Sequence, residues 1–215
     1  MASVRPYTDK DRRAVRHICC ETGFMGNPIE PLFTDRDAFA DFFTRYYTDI
    51  EKKRCLVAED DGRIVGYLCG CLRYNLYPLA QSLLIGGITM PKVVFRMAVG
   101  RYEKRNYRFL KWFLIKSARE TPMYPGGSAH FHVNFLPEWR DGKITRKIIF
   151  RFLKSLPGQR VKRVYGQIQT YGDSRPSKVF ERYGFKLFDQ RQITRFKHLS
   201  NREVYVSTFV REFDV

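Results

Sequence analysis

Acidic residues are the scarce class in this chain. There are 22 Asp and Glu against 39 Lys and Arg, a formal net charge of +17 over 215 residues. Such an excess repels polyamines and other cations, and it directs the search for partners toward anions: polyphosphate ligands, acidic membrane surfaces or nucleic acid. Histidines number only 4. Two of them, His130 and His132, form a His-x-His pair with no third ligand evident nearby, so no metal site is expected. The five cysteines are Cys19, Cys20, Cys55, Cys69 and Cys71. Most lie in apolar patterns, and Cys69 and Cys71 are too close along one strand-like run for an ordinary bridge. All five read as buried thiols of a reducing, cytoplasmic setting. The opening MASVRPYTDKDRR has no apolar segment, so no secretory signal is expected. Internal repeats, low-complexity tracts and recognisable nucleic-acid modules are all missing, which ranks nucleic acid last among the anionic partners.

What the chain does have is enough apolar material for a packed core: 44% hydrophobic residues, with 15% aromatic. SVRPYT reads as a first strand. Thr8 with Asp11 resembles a capping box ahead of a helix that carries Val15 and Ile18. A Gly- and Pro-containing loop follows, and Thr34 and Asp37 open a second helix with Phe39, Phe42, Phe43, Tyr46 and Tyr47 on one face. RCLVAEDDGRIVGYLCGCL is a hairpin turning at Asp60-Asp61-Gly62. SAHFHVNF reads as a strand, and Ile144, Ile148, Ile149, Phe152 and Leu153 as one helix face. RVKRVYGQIQT is a strand and SRPSKVFERYGF a short helix. Two final strands, FKLFDQRQITRFKHL and EVYVSTFVREF, join at Ser200-Asn201. This order predicts one α/β domain with a mixed sheet.

Residues 74–127 stand apart. YNLYPLAQSLLIGGITMP contains no charge, but its glycines and prolines argue against a transmembrane span. The stretch 92–119 has nine basic residues and only Glu103 acidic. Val94, Met97, Phe109 and Phe113 sit at helical spacing. The plain expectation is two helices with core faces and solvated basic faces; an anionic membrane is a further candidate partner for 92–119. Its aromatics could also stack bases.

The segment LPEWRDGKITRKII joins a strand to a helix. Backbone amides at such a helix start bind anions, helped by the helix dipole. Arg140, Asp141, Gly142, Lys143, Ile144 and Thr145 are therefore candidates to hold a phosphorylated ligand, with Arg140 and Lys143 adding charge.

Three stretches together resemble the GNAT N-acetyltransferase superfamily. FHVNFLPEWRDGKITRKII is similar to its acyl-CoA motif (strand, Pro-x-x-Gln/Arg, x-x-Gly-x-Gly/Ala, helix). DSRPSKVFERYGF is similar to its later signature, and the CLVAEDDGRIVGYL hairpin is typical. SAHFHVNFLPEW looks most like a bacterial subgroup related to the acetyltransferase-like domain of O-GlcNAcase. The resemblance implies a single α/β GNAT-like domain over 1–215. Its mixed sheet of six to seven strands would be flanked by helices, with 74–127 a helical insert between the third and fourth strands. It implies acetyl-CoA as co-substrate and acetyl transfer to a primary amine by direct attack. The pantetheine arm would pair with the strand ending at Phe135 and Leu136, and the pyrophosphate would lie on the amides of 140–145. Lys143 and Thr145 stand where the family has glycines. Asp173 replaces an Asn, and Phe180 stands where a tyrosine often serves as general acid. His132 and His130 are the candidate bases, with Glu30 a further carboxylate facing the acceptor. The alternatives are a degenerate member that binds acyl-CoA weakly or not at all and acts as a binding or regulatory module, and a basic nucleic-acid-binding protein.

Overall fold

Alternating apolar residues build the centre of the molecule. Along Arg63–Cys71 (β3), Tyr67, Cys69 and Cys71 point to one face while Leu68 points to the other, and all four are buried. In this computed structural model, which describes residues 2–140, 142–156, 161–170 and 175–213, β3 is the third strand of a seven-stranded mixed sheet. The others are β1 (Ser3–Pro6), β2 (Cys55–Asp60), β4 (Ala129–Phe135), β5 (Arg163–Thr170), β6 (Lys186–Gln192) and β7 (Tyr205–Glu212), in the spatial order β1-β2-β3-β4-β5-β7-β6. Among the described residues only β4 and β5 pair in parallel. The chain is thus a single α/β domain.

Helices α1 (Arg12–Thr22) and α2 (Arg36–Asp49) cover the Tyr67 face, burying Val15, Ile18, Phe39 and Tyr46. Helix α7 (Lys143–Lys154) covers the other face with Ile148, Ile149 and Phe152 against Leu68, Phe131 and Phe135. Gly66 is required there, because a Cβ on it would lie 2.2 Å from the Phe135 ring. Helix α8 (Arg175–Arg182) follows β5. The capping box at Thr8 forms and starts a short 3-10 turn leading into α1. The cap of α2 is Asp35 rather than Thr34: its carboxylate accepts from the Ala38 amide at 3.0 Å.

Between β3 and β4 run α3 (Tyr77–Leu84), a π turn (Ile85–Thr89), α4 (Met90–Ala98), α5 (Lys104–Ile115) and the single turn α6 (Ser117–Glu120). The glycines and Pro91 do not break the uncharged run. Gly86 and Gly87 lie in the π turn and Pro91 comes directly after it, as the second residue of α4, and Tyr77–Ala98 runs on as one helix of 22 residues. The inward residue of α4 is Val93; Val94, expected in the core, is exposed. The expected strand over 185–199 is also shorter. It ends at Gln192, and 193–204 is a turn-rich connection.

Candidate active site

The parallel pairing of β4 with β5 covers only Ala129–Phe131 against Val164–Gly166. Beyond those three residues the strands diverge. The direction of the freed backbone groups follows from register. The Leu136 amide donates to Val65 O at 3.0 Å, which fixes Val65–Leu136, Tyr67–Asn134 and Cys69–His132 as the hydrogen-bonded pairs with β3. The N–H and C=O of Phe131, Val133 and Phe135 therefore face β5, and those of Val133 and Phe135 open into the divergence. The Phe135 carbonyl is taken by Arg140 Nε at 3.0 Å.

Helix α7 begins at the mouth of this cleft. Gly142 is its N-cap at φ 81°, ψ −21°, the left-handed region that glycine enters without strain, and no described side chain caps the helix. The first amides of the helix are left without intrahelical partners. The cleft has a volume of about 440 Å³ and is lined by Val133, Phe135, Gly142, Thr145 and Phe180 among others, a size usual for a small-molecule site. A second cavity of about 360 Å³ adjoins it, walled by Tyr77 and Gln81 of α3, Trp112 and Phe113 of α5, and Tyr165. His132, Gln169 and Arg195 line both.

No family model matches the sequence, and no curated protein does. Solved structures do match. A protein designated SsHAT superposes with a TM-score of 0.61 at 24% identity, over 97% of this chain and 98% of its own. The Drosophila melanogaster polyamine N-acetyltransferase superposes with a TM-score of 0.57 at 13% identity, over 99% and 100%. The yncA protein of Salmonella typhimurium, solved with its cofactor acetyl-CoA, does so with a TM-score of 0.55 at 11% identity, over 99% and 94%. The fold is that of the GNAT N-acetyltransferases. At these identities the fold is what is shared.

Within the GNAT fold, the sequence-selected residues fall into three groups. Phe135, Gly142, Thr145 and Phe180 line the cleft, whereas Leu136 lies outside its lining, buried in the core on the α1–α2 side. Ile144 is buried beneath the cleft and Lys143 is exposed outside its lining. Arg140 is at the mouth but also spans it: Nη2 donates to Gly26 O at 2.8 Å while Nε holds Phe135 O, so the guanidinium ties the α1–α2 loop to the end of β4. Glu30 is elsewhere. It pairs with Arg36 at 2.5 Å and lines neither cavity. Asp141 and Asp173 lie outside the described residues.

The histidines lie on the α1–α2 face of β4. His130 Nε2 is 2.9 Å from the Tyr47 hydroxyl, and its ring lies 4.6 Å from that of Tyr77. His132 Nδ1 is 3.4 Å from the Tyr67 hydroxyl, while its Nε2 receives the Asn134 amide at 3.1 Å. Burial pushes both imidazoles down to about 4, so both are neutral at pH 7. With Nε2 accepting from Asn134, the His132 proton belongs on Nδ1. Phe180 packs flat against Phe131 with ring centres 6.0 Å apart, and Phe185 and Phe209 close around it.

Sequence reasoning missed Arg195. It sits in the β6–β7 connection, 8% exposed, with its guanidinium 5.0 Å from the Trp112 ring and 4.6 Å from the Phe196 ring. Read as part of a strand, it was one more basic residue in a basic chain. Only the turn that replaces the strand brings it to the cavities.

Proposed function

We propose that the protein is an acetyl-CoA-dependent N-acetyltransferase acting on a primary amine. The observation that carries this reading is the β4–β5 divergence, with the Val133 backbone and the Phe135 N–H facing it and, at its mouth, a helix start that no described side chain caps. The fit is chemical. An amide-rich pantetheine arm needs backbone partners, which Val133 and the Phe135 N–H offer, and a pyrophosphate needs the amides of the first turn of α7. Lys143 and Thr145 project from that turn, but the amides that bind phosphate belong to the backbone, which side chains at these two positions leave in place. Acetyl-CoA, when bound, supplies an acetyl thioester, and the reaction exchanges its C–S bond for a C–N bond while the proton shed by the acceptor nitrogen passes to the departing thiolate.

The residues of the chain have separate tasks in this reading. The Val133 N–H is the donor available to a carbonyl oxygen in the cleft. Phe180, Phe135 and Ile149 line it with apolar surface and exclude water. His132, at the junction of the two cavities, is the group that takes the acceptor's proton on Nε2 once the Asn134 amide moves aside. The second cavity receives the acceptor, so the insert forms its wall.

Calorimetric titration with acetyl-CoA tests the cleft, and thiol release with a panel of primary amines tests the transfer. Micromolar binding and amine-dependent release are the expected results; no binding at millimolar acetyl-CoA would overturn the reading. One observation favours a second reading, a fold that holds acetyl-CoA without turning it over: Phe180 brings no hydroxyl, and both imidazoles are weak bases. Tight binding with no release from any amine would identify it.

A further inference from the structure

Arg195 is the most anomalous charge in the molecule. It makes no hydrogen bond or ion pair with any described residue, and its Nε is buried without a partner. Aromatic rings cover its faces. The nearest carboxylate influence is Glu120, whose oxygens are already committed to Thr194 N at 2.7 Å, Thr194 Oγ1 at 2.6 Å and Trp112 Nε1 at 2.6 Å. Burial lowers the Arg195 guanidinium to about 10, opposed by Glu120, so it stays charged at neutral pH. A buried cation without partners is costly unless a ligand completes it. It lines both cavities at their junction, beside the place assigned above to the acceptor.

We infer that Arg195 binds an oxyanion on the acceptor, so that the acceptor is an amine also bearing a carboxylate or phosphate. The planar guanidinium suits either group bidentately. Its charge also disfavours an ammonium in the cavity, which presents the amine in its neutral, nucleophilic form. This inference rests on the proposed acetyl transfer for the identity of the ligand, but the anion site itself can be tested without turnover.

The test has two arms. Trp112 lies against Arg195, so tryptophan fluorescence reports anion binding directly, with γ-aminobutyrate, phosphoethanolamine and propylamine as probes. The acid-bearing probes should bind at least about tenfold more tightly than propylamine, and Arg195→Gln should abolish the difference. Comparing the first two probes distinguishes carboxylate from phosphate. In the second arm, thiol release should show the same preference in kcat/KM, and Arg195→Gln should remove it. Arg195→Lys, which keeps the charge, should retain part of the preference and guards against misfolding of the first variant. Equal binding of propylamine and the acids would overturn the inference. So would a variant that loses acetyl-CoA affinity and keeps the anion preference. Failure of acetyl-CoA to bind at all would sink the transferase reading while leaving the first arm informative.

A different observation carries a second proposal. The exposed surface of Tyr77–Ala98 is mostly apolar, apart from Lys92, whose side chain is half exposed. Leu79, Leu83, Val94 and Phe95 are each more than half exposed, and the only charged residues of the helix, Lys92 and Arg96, turn to Asp41 and Asp35. The inward side is docked on α2, with Ala80 and Val93 buried and Gln81 Nε2 donating to Phe42 O at 2.8 Å. Length and composition would let this helix cross a bilayer, but its lengthwise docking on α2 keeps it parallel to the body. Helix α5 packs on the same α2 and exposes Lys104, Arg108 and Lys111 alongside Leu114 and Ile115.

We propose that this face rests on an anionic bilayer, with the helix in the interfacial plane and the cations of α5 at the headgroups. A second copy of the chain would bring like charges together. Flotation with vesicles of phosphatidylcholine containing about a third phosphatidylglycerol should recover the protein, and vesicles of phosphatidylcholine alone should not. Leu83→Asp with Phe95→Asp should release it without changing acetyl-CoA affinity. No flotation on the anionic vesicles would overturn the proposal, as would a dimer in light scattering that the same substitutions dissociate.

Discussion

At the scale of single residues, burial sets the protonation states of the site. His130 and His132 bind no proton in the folded protein until about pH 4, whereas in the unfolded chain they titrate near the ordinary histidine value of about 6.5. Between these values the unfolded state binds more protons, so folding stability falls as the pH drops through that window, by roughly 3 kcal/mol for each histidine. His198 shifts in the same direction. The buried carboxylates Asp41 and Glu51, held low by arginines and by backbone and tyrosine donors, lose their contribution only at still lower pH. Thermal melts between pH 7 and 5 should show the decline, and His130→Gln with His132→Gln should flatten it; an unchanged slope would mean the imidazoles are solvated. The same protonation states predict the rate profile. The kcat/KM for an amine should climb toward the acceptor's own pKa with no inflection near 6.5. An inflection there would mark a histidine with ordinary basicity. The sequence disclosed the His-x-His pair and its shared face, but not its burial among Tyr47, Tyr67 and Tyr77, which come from three other segments.

Elements were more legible than residues where a pattern was local. The hairpin turn at Asp61 and Gly62 forms with positive φ at both, and the strand–turn–helix over 129–154 matches its period-2 and period-3.6 patterns nearly end to end. Patterns misled where tertiary contacts decided. Alternation in QITRF suggested a continuing strand, yet Glu120 captures the Thr194 amide and hydroxyl and turns the chain aside. The seat of α7 provides two tests. Gly142→Ala forces a Cβ into φ 81° with open space around it, so the expected loss is about 1 kcal/mol from backbone strain alone, read as a drop in urea midpoint with unchanged m-value. Arg140→Met removes the tie between Gly26 and Phe135 and should weaken acetyl-CoA binding by about tenfold through a looser mouth, measured by calorimetry. Unaltered affinity would confine Arg140 to a stabilising role.

For the molecule as a whole, the insert does more than wall a cavity. On one side it is fastened to the α1–α2 half: Glu51 takes the Leu72 and Arg73 amides at 2.9 and 3.2 Å, and Asp41, 3% exposed, gathers Arg16, Arg45 and Lys92. On the other side it reaches the β5–β7 half, where Met123 N donates to Asp189 at 2.6 Å and Gln167 Nε2 to Pro122 O at 3.3 Å. Asp41→Asn leaves three cations around a neutral group and should cost about 3 kcal/mol, visible as a lowered Tm with the insert becoming sensitive to protease first. The parallel seam of the sheet has its own mechanical consequence. Three paired residues join β4 to β5, so the sheet has its weakest backbone seam there, between two leaves that share the Phe131–Phe180–Phe209 core, with the insert as a strap across it. Pulled in an optical trap through handles on β3 and β7, the leaves should part at low force along that seam while the strap keeps them tethered. A ligand lodged between the strands should raise the force of this first step and leave the second, the tearing of the strap, where it was.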